Sequence, residues 1–452
     1  MGFNKKDQIV LRQTRSYDNE IVNSMTTHAD NRNRIEVIDG DTFNKTFPSK
    51  LQNPMISFTD SRNQNNRLDF DENMMSTHIL ILGGIGTGKS NTFYHFLDQI
   101  IPKMTSDDIL LIFDTKGDFV NRFGKDSLVI GNSVSGCTNY WNIFAEIDPN
   151  DIDGSIREIC RSLFKERIDR TTNTYFPMAA SDILYALIFA FYSEKVDHNK
   201  NNQNFIAWLR NASCQDILDV LNDFPQMRYI TTHISNPDSA QTQGVLAELH
   251  SVLNSIFIGN FAKNGTLSMQ ELIRKRGGSK IFIEYDIKTG QILSPIYSLM
   301  IDLALKQALS SSESHRGNVF ILIDEFKLLP NLEHIDDAVN FGRSLGIKMI
   351  IGLQSITQMY DNYGEMKAKS ILSGFLNNIF FRVNNYESRE YIKDFFGENI
   401  EKIIYNSQSG LNENIQVRSV VKDKDITRLN VGQAIVGIPD EKPFMINFEE
   451  YR

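Results

Sequence analysis

Cysteine is scarce in this sequence, which has three cysteines in 452 residues: Cys137, Cys160 and Cys214. Their spacing matches no zinc-binding pattern. An odd, sparse set is typical of reduced thiols in a cytosolic protein and not of a disulfide framework. The eight histidines show no cluster with metal-ligand spacing either. The sequence therefore predicts no structural zinc site.

A surplus of basic residues is also missing, because the formal net charge is -9. A protein that wraps DNA on a broad basic face would usually be positive. Any contact with DNA should therefore be local, in a pore or in a few loops. The hydrophobic fraction of 41% and the charged fraction of 23% are typical of a folded chain with two or three structural units.

Long hydrophobic runs are absent as well. The apolar run Tyr185–Phe191 with Tyr192 is far shorter than the roughly 20 residues that a membrane helix needs. The N-terminal residues lack the apolar core of a secretory signal. We therefore expect no membrane-spanning segment and a cytoplasmic location.

Short continuous apolar runs are present instead, and they predict buried strands of a parallel sheet covered on both faces. These runs are Ile79–Leu82, Ile109–Phe113, Lys280–Tyr285, Val319–Ile323, Lys348–Leu353 and Asn378–Val383. Residues 151–275 have helical spacing instead, including a capping box at Ser213 and Asp216. The prediction is an α/β domain from residues 54–150 and 276–452 with an inserted all-α domain, preceded by a polar arm over residues 1–53.

A phosphate-binding loop lies between the first of these strands and a predicted helix, Asn91–Ile101. Its sequence matches G-x-x-x-x-G-K-[ST] over Gly83, Gly84, Ile85, Gly86, Thr87, Gly88, Lys89 and Ser90, and Asn91 follows. Glycines let backbone N–H groups turn toward phosphate oxygens, and the helix N-terminus adds positive potential. Lys89 would contact the β- and γ-phosphates and Ser90 would bind Mg²⁺. The motif predicts binding of ATP with Mg²⁺.

Such a loop needs an acidic partner, and Asp324-Glu325 after the strand Val319–Ile323 is the preferred candidate. Asp324 would hold the Mg²⁺ shell, and Glu325 would act as general base on the attacking water. Asp114 competes, because it also follows an apolar run. Two further candidates flank the strand Lys348–Leu353: Gln354, which could sense ATP or orient water, and Arg343, on a predicted helix, which could reach the nucleotide of a neighbouring subunit.

In their order, these motifs resemble the TraG/TraD-like type IV secretion coupling proteins, which are conjugative DNA pumps related to the FtsK/HerA translocases. The block 321–385 (ILIDEFKLLPNLEHIDDAVNFGRSLGIKMIIGLQSITQ…FFRVNN) carries most of the similarity. THILILGGIGTGKSN (77–91), FDTKGDF (113–119) and YWNIF (140–144) fit in order, and the helical segment falls where that family has its all-α domain. The similarity covers roughly residues 55–448.

The resemblance implies a RecA-like ATPase fold and a homo-hexamer that moves single- or double-stranded DNA through a central channel. It implies that Lys89 and Ser90 are the P-loop pair, that Asp324 and Glu325 are the metal-binding and catalytic acids, and that Gln354 is the glutamine of the third motif. Arg343 would be the arginine finger. Family members usually carry two transmembrane helices before the P-loop, and residues 1–82 contain none. The sequence therefore suggests a trimmed chain, a separate membrane-anchor subunit, or a relative with another role.

Three functions fit these observations. The first is a DNA-translocating coupling ATPase. The second is a packaging, mobile-element or defence translocase with the same core. The third is a nucleotide-switched recruitment module that binds a relaxase or another protein partner through the helical insertion and turns over little ATP.

Overall fold

The computed structural model describes residues 10–15, 21–26, 47–48, 50–193, 200–310, 317–407 and 410–452. The strands in this part of the chain are β1 (Val10–Arg15), β2 (Ile21–Thr26), β3 (Ile56–Asp60), β4 (Asn63–Phe70), β5 (Ile79–Leu82), β6 (Ile109–Asp114), β7 (Leu128–Gly131), β8 (Ser279–Glu284), β9 (Val319–Ile323), β10 (Ile347–Leu353), β11 (Asn377–Phe380), β12 (Glu398–Ser407), β13 (Gly410–Ser419), β14 (Gln433–Gly437) and β15 (Phe444–Asn447). The α-helices are α1 (Glu72–Ser76), α2 (Lys89–Ile100), α3 (Asp118–Phe123), α4 (Ile152–Arg170), α5 (Tyr175–Tyr192), α6 (Asn202–Asn211), α7 (Cys214–Asn222), α8 (Ala240–Ile256), α9 (Met269–Lys275), α10 (Gly290–Leu309), α11 (Ile335–Phe341), α12 (Thr357–Tyr363), α13 (Glu365–Ser373), α14 (Tyr386–Phe396) and α15 (Asp423–Thr427).

Nine strands form the central sheet, in the order β15-β14-β11-β5-β10-β9-β6-β8-β7. The strands from β11 to β7 are parallel. β14 and β15 extend one edge in antiparallel fashion. The predicted α/β class with a mainly parallel sheet is confirmed. β5 and β9 have the predicted bounds, whereas β11 ends at Phe380, three residues before the predicted end.

Side chains of the central strands are buried on both faces, which explains their uninterrupted apolar sequences. In β5, Leu80 and Leu82 join the core on one face, beneath α10 and the helices that follow residue 151. Ile79 and Ile81 join the core on the other face, beneath α2 and the β3–β4 hairpin. Packing in both cores fixes the carboxyl ends of β5, β9 and β10 relative to one another. The candidate site lies at these ends.

The helices α4–α9 follow one another between β7 and β8, in the segment predicted to be an all-helical insertion. The capping box predicted at Ser213 and Asp216 is present at the start of α7. Buried Glu146 joins the two ends of the insertion by accepting hydrogen bonds from Trp141 Nε1 at 2.7 Å and from Met269 N at 2.6 Å. These helices share one continuous hydrophobic core with α10 and the sheet. The division at residues 151 and 275 stays a prediction.

The polar arm predicted over residues 1–53 contributes β1 and β2 to a small antiparallel sheet of order β13-β12-β1-β2. β1 pairs with β12, so the beginning of the described chain lies against its C-terminal part. Most of the remaining arm is outside the described residues.

Two helices correct the expectation that no segment has the length and hydropathy of a membrane span. By length and composition alone, α5 and α10 could cross a membrane. The expectation relied on uninterrupted apolar runs, whereas mean hydropathy tolerates scattered polar residues. Most of each apolar window is buried inside the fold, 61% in α5 and 72% in α10, as in core helices.

Candidate nucleotide-binding site

The phosphate-binding loop connects β5 to α2 and is fixed by the strands on both sides. Gly83 N donates to Leu353 O at the end of β10, and Gly84 N donates to Arg382 O just after β11. Glycine is required at two points. Gly88 has φ +120°, and a Cβ at Gly83 would lie 2.5 Å from Phe381 Cβ. The loop therefore depends on glycine at these two positions and is fixed by the two neighbouring strands.

Lys89 is the first residue of α2, and its side chain lies over the loop. Its ammonium donates to Gly83 O at 2.6 Å and to Gly84 O at 3.1 Å. Burial lowers the pKa of Lys89, and the charges of Asp324 and Glu325 oppose that shift. A cation desolvated in this way interacts strongly with an anion that enters the loop.

The acid pair follows β9, beside the P-loop. Ser90 Oγ lies 3.2 Å from Asp324 Oδ2, so the two predicted Mg²⁺ ligands are in contact. Burial raises the pKa of Asp324 to about 6, although the nearby charge of Lys89 lowers it. Burial also raises the pKa of Glu325. A carboxylate with raised proton affinity suits general-base chemistry.

Gln354 follows β10, and its side-chain amide donates a hydrogen bond to Glu325 Oε2. The other carboxylate oxygen, Oε1, is buried and accepts no hydrogen bond among the described residues. Lys327 Nζ lies 4.0 Å from it. Glu325 is thus held by one oxygen and has the other available. The structure brings together Lys89, Ser90, Asp324, Glu325 and Gln354.

Asp114, the competing acid, has a different environment. It is fully buried, and its carboxylate accepts hydrogen bonds from four backbone N–H groups, those of Lys116, Gly117, Phe119 and Val120. These bonds shape the turn between β6 and α3. Its oxygens are occupied, so the geometry favours Asp324 and Glu325 for the metal and the water.

Arg343 is distant from this group. It lies in a 3₁₀ turn, Gly342–Leu345, and not on an α-helix, immediately before β10. Its side chain is exposed. Gln354 follows the opposite end of β10, and a seven-residue strand spans roughly 23 Å. Arg343 is therefore outside the site of its own subunit.

Ile85 and Asn91, two other residues predicted to contact the nucleotide, differ in their surroundings. Ile85 is at the tip of the loop and is 85% exposed. Asn91 lies in the first turn of α2, but its side chain bonds the C-terminal segment, with Nδ2 donating to Glu449 O at 2.8 Å and Oδ1 accepting from Tyr451 N at 2.7 Å. The side chain of Asn91 is therefore held by the C-terminal segment.

Sequence reasoning gave no role to Lys116 and Lys327, whose charges act on Lys89 and Glu325. Lys116 follows β6, and Lys327 follows β9. A lysine shortly after the carboxyl end of a core strand was the signal in the sequence that could have identified them. It also missed Gly432, whose N–H donates to Thr87 O and so packs the C-terminal strands against the P-loop.

The fold and the site together define a P-loop nucleotide-binding protein of the RecA-like class. The chain belongs to the type IV secretion-system coupling proteins, because residues 64–448 match the DNA-binding domain that describes this family.

Individual relatives agree with this assignment. The coupling protein TraD of Escherichia coli K12 is 21% identical over 329 residues, which are 70% of this chain and 43% of TraD. VirD4 of Bartonella henselae, a type IV secretion system-coupling protein, is 21% identical over 332 residues, 67% of this chain and 50% of VirD4. The chain thus spans half or less of the length of these relatives. The solved structure of the conjugative coupling protein TrwB, unbound, has a TM-score of 0.71 at 20% identity, covering 84% of this chain and 86% of that chain.

Proposed function

We propose that this chain hydrolyses ATP and uses the reaction to move DNA through a homo-hexameric ring. The observation that carries the proposal is the setting of Glu325. It has one oxygen held by Gln354 and the other buried without a hydrogen-bond partner, beside the Ser90–Asp324 contact. TrwB, which has the same fold, has been solved in complex with ADP and Mg²⁺.

The residues present fit Mg²⁺-ATP. The N–H groups of Gly83 and Gly84 are bonded to the neighbouring strands, so the backbone N–H groups of residues 85–88, the N-terminus of α2 and the Lys89 ammonium would hold the β- and γ-phosphates. Ser90 Oγ and the Asp324 carboxylate are hard oxygen donors of the kind that Mg²⁺ prefers. When bound, Mg²⁺ neutralises charge on the phosphate oxygens.

Glu325 would then accept a proton from water as the water oxygen bonds to the γ-phosphorus. The bond between the γ-phosphorus and the bridging oxygen of the β-phosphate breaks, and ADP and inorganic phosphate are released. Gln354 orients Glu325 through the bond to Oε2. The pKa of Glu325, raised by burial, brings its proton affinity closer to that of an effective base at neutral pH.

Glu325→Gln should bind ATP but hardly hydrolyse it. The change keeps the size of the side chain and removes the base, so turnover should fall at least roughly 10²-fold. Steady-state ATPase assays and binding of a non-hydrolysable ATP analogue measure the two effects. Exposed Glu441→Gln is the matched control. Loss of analogue binding in Glu325→Gln would assign Glu325 a structural role.

DNA binding should be weak in the monomer and much stronger in the ring. The net charge of -9 argues against a strong site on one subunit, whereas a pore adds several small contacts. Anisotropy of labelled single- and double-stranded oligonucleotides, measured with protein concentration and salt varied, checks this expectation. Affinity should fall steeply with salt. A tight, salt-insensitive complex with the monomer would contradict it.

We further propose a location at the cytoplasmic face of the membrane, through a separate anchor subunit, and recruitment of a relaxase or another transferred protein. Membership of the coupling-protein family supports both proposals. Fractionation of cells that express the tagged chain, with and without the other transfer proteins, tests the location. An unchanged distribution between the two conditions would exclude a partner-dependent anchor.

A further inference from the structure

The turn between β6 and α3 contains the segment FDTKGDF, and the structure explains most of it. Asp114 fastens the turn through its four backbone hydrogen bonds. Gly117 has φ +73°, a conformation that favours glycine, so the turn can close before α3 begins. Phe119 is buried in the core. Lys116 has no such structural role, although it lies at the apex of a rigidly held turn.

The sheet places this turn next to the acid pair. β6 is hydrogen-bonded to β9, with Phe113 opposite Ile323, so the chain leaves the two strands side by side. Adjacent strands are about 4.8 Å apart. Lys116 is two residues beyond Asp114, and Glu325 is two residues beyond Ile323. A flexible lysine stem can therefore extend over the space in front of Glu325.

The positive charge of Lys116 affects the pKa values of residues in the site. Burial is the main cause of the lowered pKa of Lys89, and Lys116 contributes in the same direction. Burial is also the main cause of the raised pKa of Asp324, which the charges of Lys89 and Lys116 oppose. Lys116 itself is exposed, and in the described part of the chain its ammonium makes no ion pair or hydrogen bond.

The other cations of the site are already engaged. Lys89 bonds the loop carbonyls, and Lys327 lies near Glu325. These two positive charges balance the two negative charges of Asp324 and Glu325. Without Lys116, the net charge of Lys327 and the five side chains brought together in the site is zero. A nucleotide triphosphate stays anionic even with Mg²⁺ bound, so these residues alone offer it no net positive charge.

We propose that Lys116 binds the γ-phosphate of ATP in its own subunit, as a second cation beside Lys89. The inference rests on the proposed ATP hydrolysis. Lys116 takes no proton and forms no covalent bond. It stabilises the charge that spreads over the γ-phosphoryl oxygens while the bond to ADP breaks. Since ADP has no γ-phosphate, Lys116 distinguishes the triphosphate from the product.

The test compares Lys116→Ala and Lys116→Arg with Lys125→Ala. Lys125 is also exposed and lies just beyond the opposite end of α3. Binding of a non-hydrolysable ATP analogue and of ADP, each with Mg²⁺, is measured together with steady-state ATPase activity. In Lys116→Ala, analogue affinity should fall roughly tenfold and turnover roughly 10²-fold, the usual weight of one preorganised charge. ADP affinity should not change, and Lys116→Arg should recover part of both losses.

Three results separate failure of this inference from failure of the proposed function. If the wild type hydrolyses ATP and Lys116→Ala matches Lys125→Ala in turnover and analogue affinity, the role of Lys116 is refuted and the ATPase stands. Equal loss of analogue and ADP affinity also refutes it, since that pattern means a distorted turn. If the wild type does not hydrolyse ATP, the proposed function fails. The ratio of analogue affinity to ADP affinity then still decides whether Lys116 binds the γ-phosphate.

Discussion

Lys89→Ala should abolish ATP hydrolysis and leave the fold intact. The ammonium lies over the phosphate-binding loop, within 2.6 Å of Gly83 O, where it would meet the β- and γ-phosphates. Removing one preorganised charge from a desolvated site costs at least roughly 10²–10³-fold in turnover. Burial lowers the pKa of Lys89, so the folded protein holds this charge at a cost in free energy. Its loss should therefore leave the thermal unfolding midpoint near that of the wild type.

Steady-state ATPase assays on protein free of contaminating ATPases measure the first effect, and thermal unfolding measures the second. Lys442→Ala, an exposed lysine near the start of β15, is the control and should behave as wild type. Turnover of Lys89→Ala near the wild-type value would contradict a role for the P-loop in ATP hydrolysis. A large drop in the unfolding midpoint would instead assign Lys89 to the stability of the loop.

The features that the sequence predicted well are those set by neighbouring residues. A parallel strand buried on both faces must be apolar throughout, so the first and last residues of β5 and β9 could be predicted from the sequence alone. The P-loop is likewise a local motif between one strand and one helix. The capping box at Ser213 depends on residues three apart.

The features that the sequence left open or missed depend on contacts distant in sequence. Asp114 and Asp324 both follow apolar strands, and only the backbone N–H groups folded around Asp114 distinguish a structural acid from a metal ligand. The antiparallel edge of β14 and β15 is equally non-local. Gly432 reaches Thr87 across 345 residues of chain. The helices α5 and α10 required burial to be recognised as core elements.

Arg343→Ala should be nearly inactive, because we propose that Arg343 acts on the nucleotide of a neighbouring subunit. It lies before β10, whereas Gln354 lies after that strand, roughly 23 Å away. Its exposed guanidinium forms no ion pair with any residue that the structure describes. A local surface pair, the simplest alternative role, would in any case contribute under about 1 kcal/mol. Arginine fingers stabilise charge on the transferred phosphoryl group and contribute roughly 10³–10⁵ in rate.

A mixing experiment tests action between subunits. Arg343→Ala and Lys89→Ala should each be inactive alone, but a mixed ring contains interfaces at which an intact P-loop faces an intact arginine, so mixing should restore part of the activity. Specific activity of the wild type should also rise with protein concentration as rings assemble. Exposed Arg228→Ala is the control and should keep full turnover in both settings. Normal turnover of Arg343→Ala, or activity per subunit that is independent of concentration from monomer to ring, would exclude the ring mechanism. A nucleotide-switched recruitment module would then describe the protein better, because a switch needs the P-loop but no arginine from its neighbour.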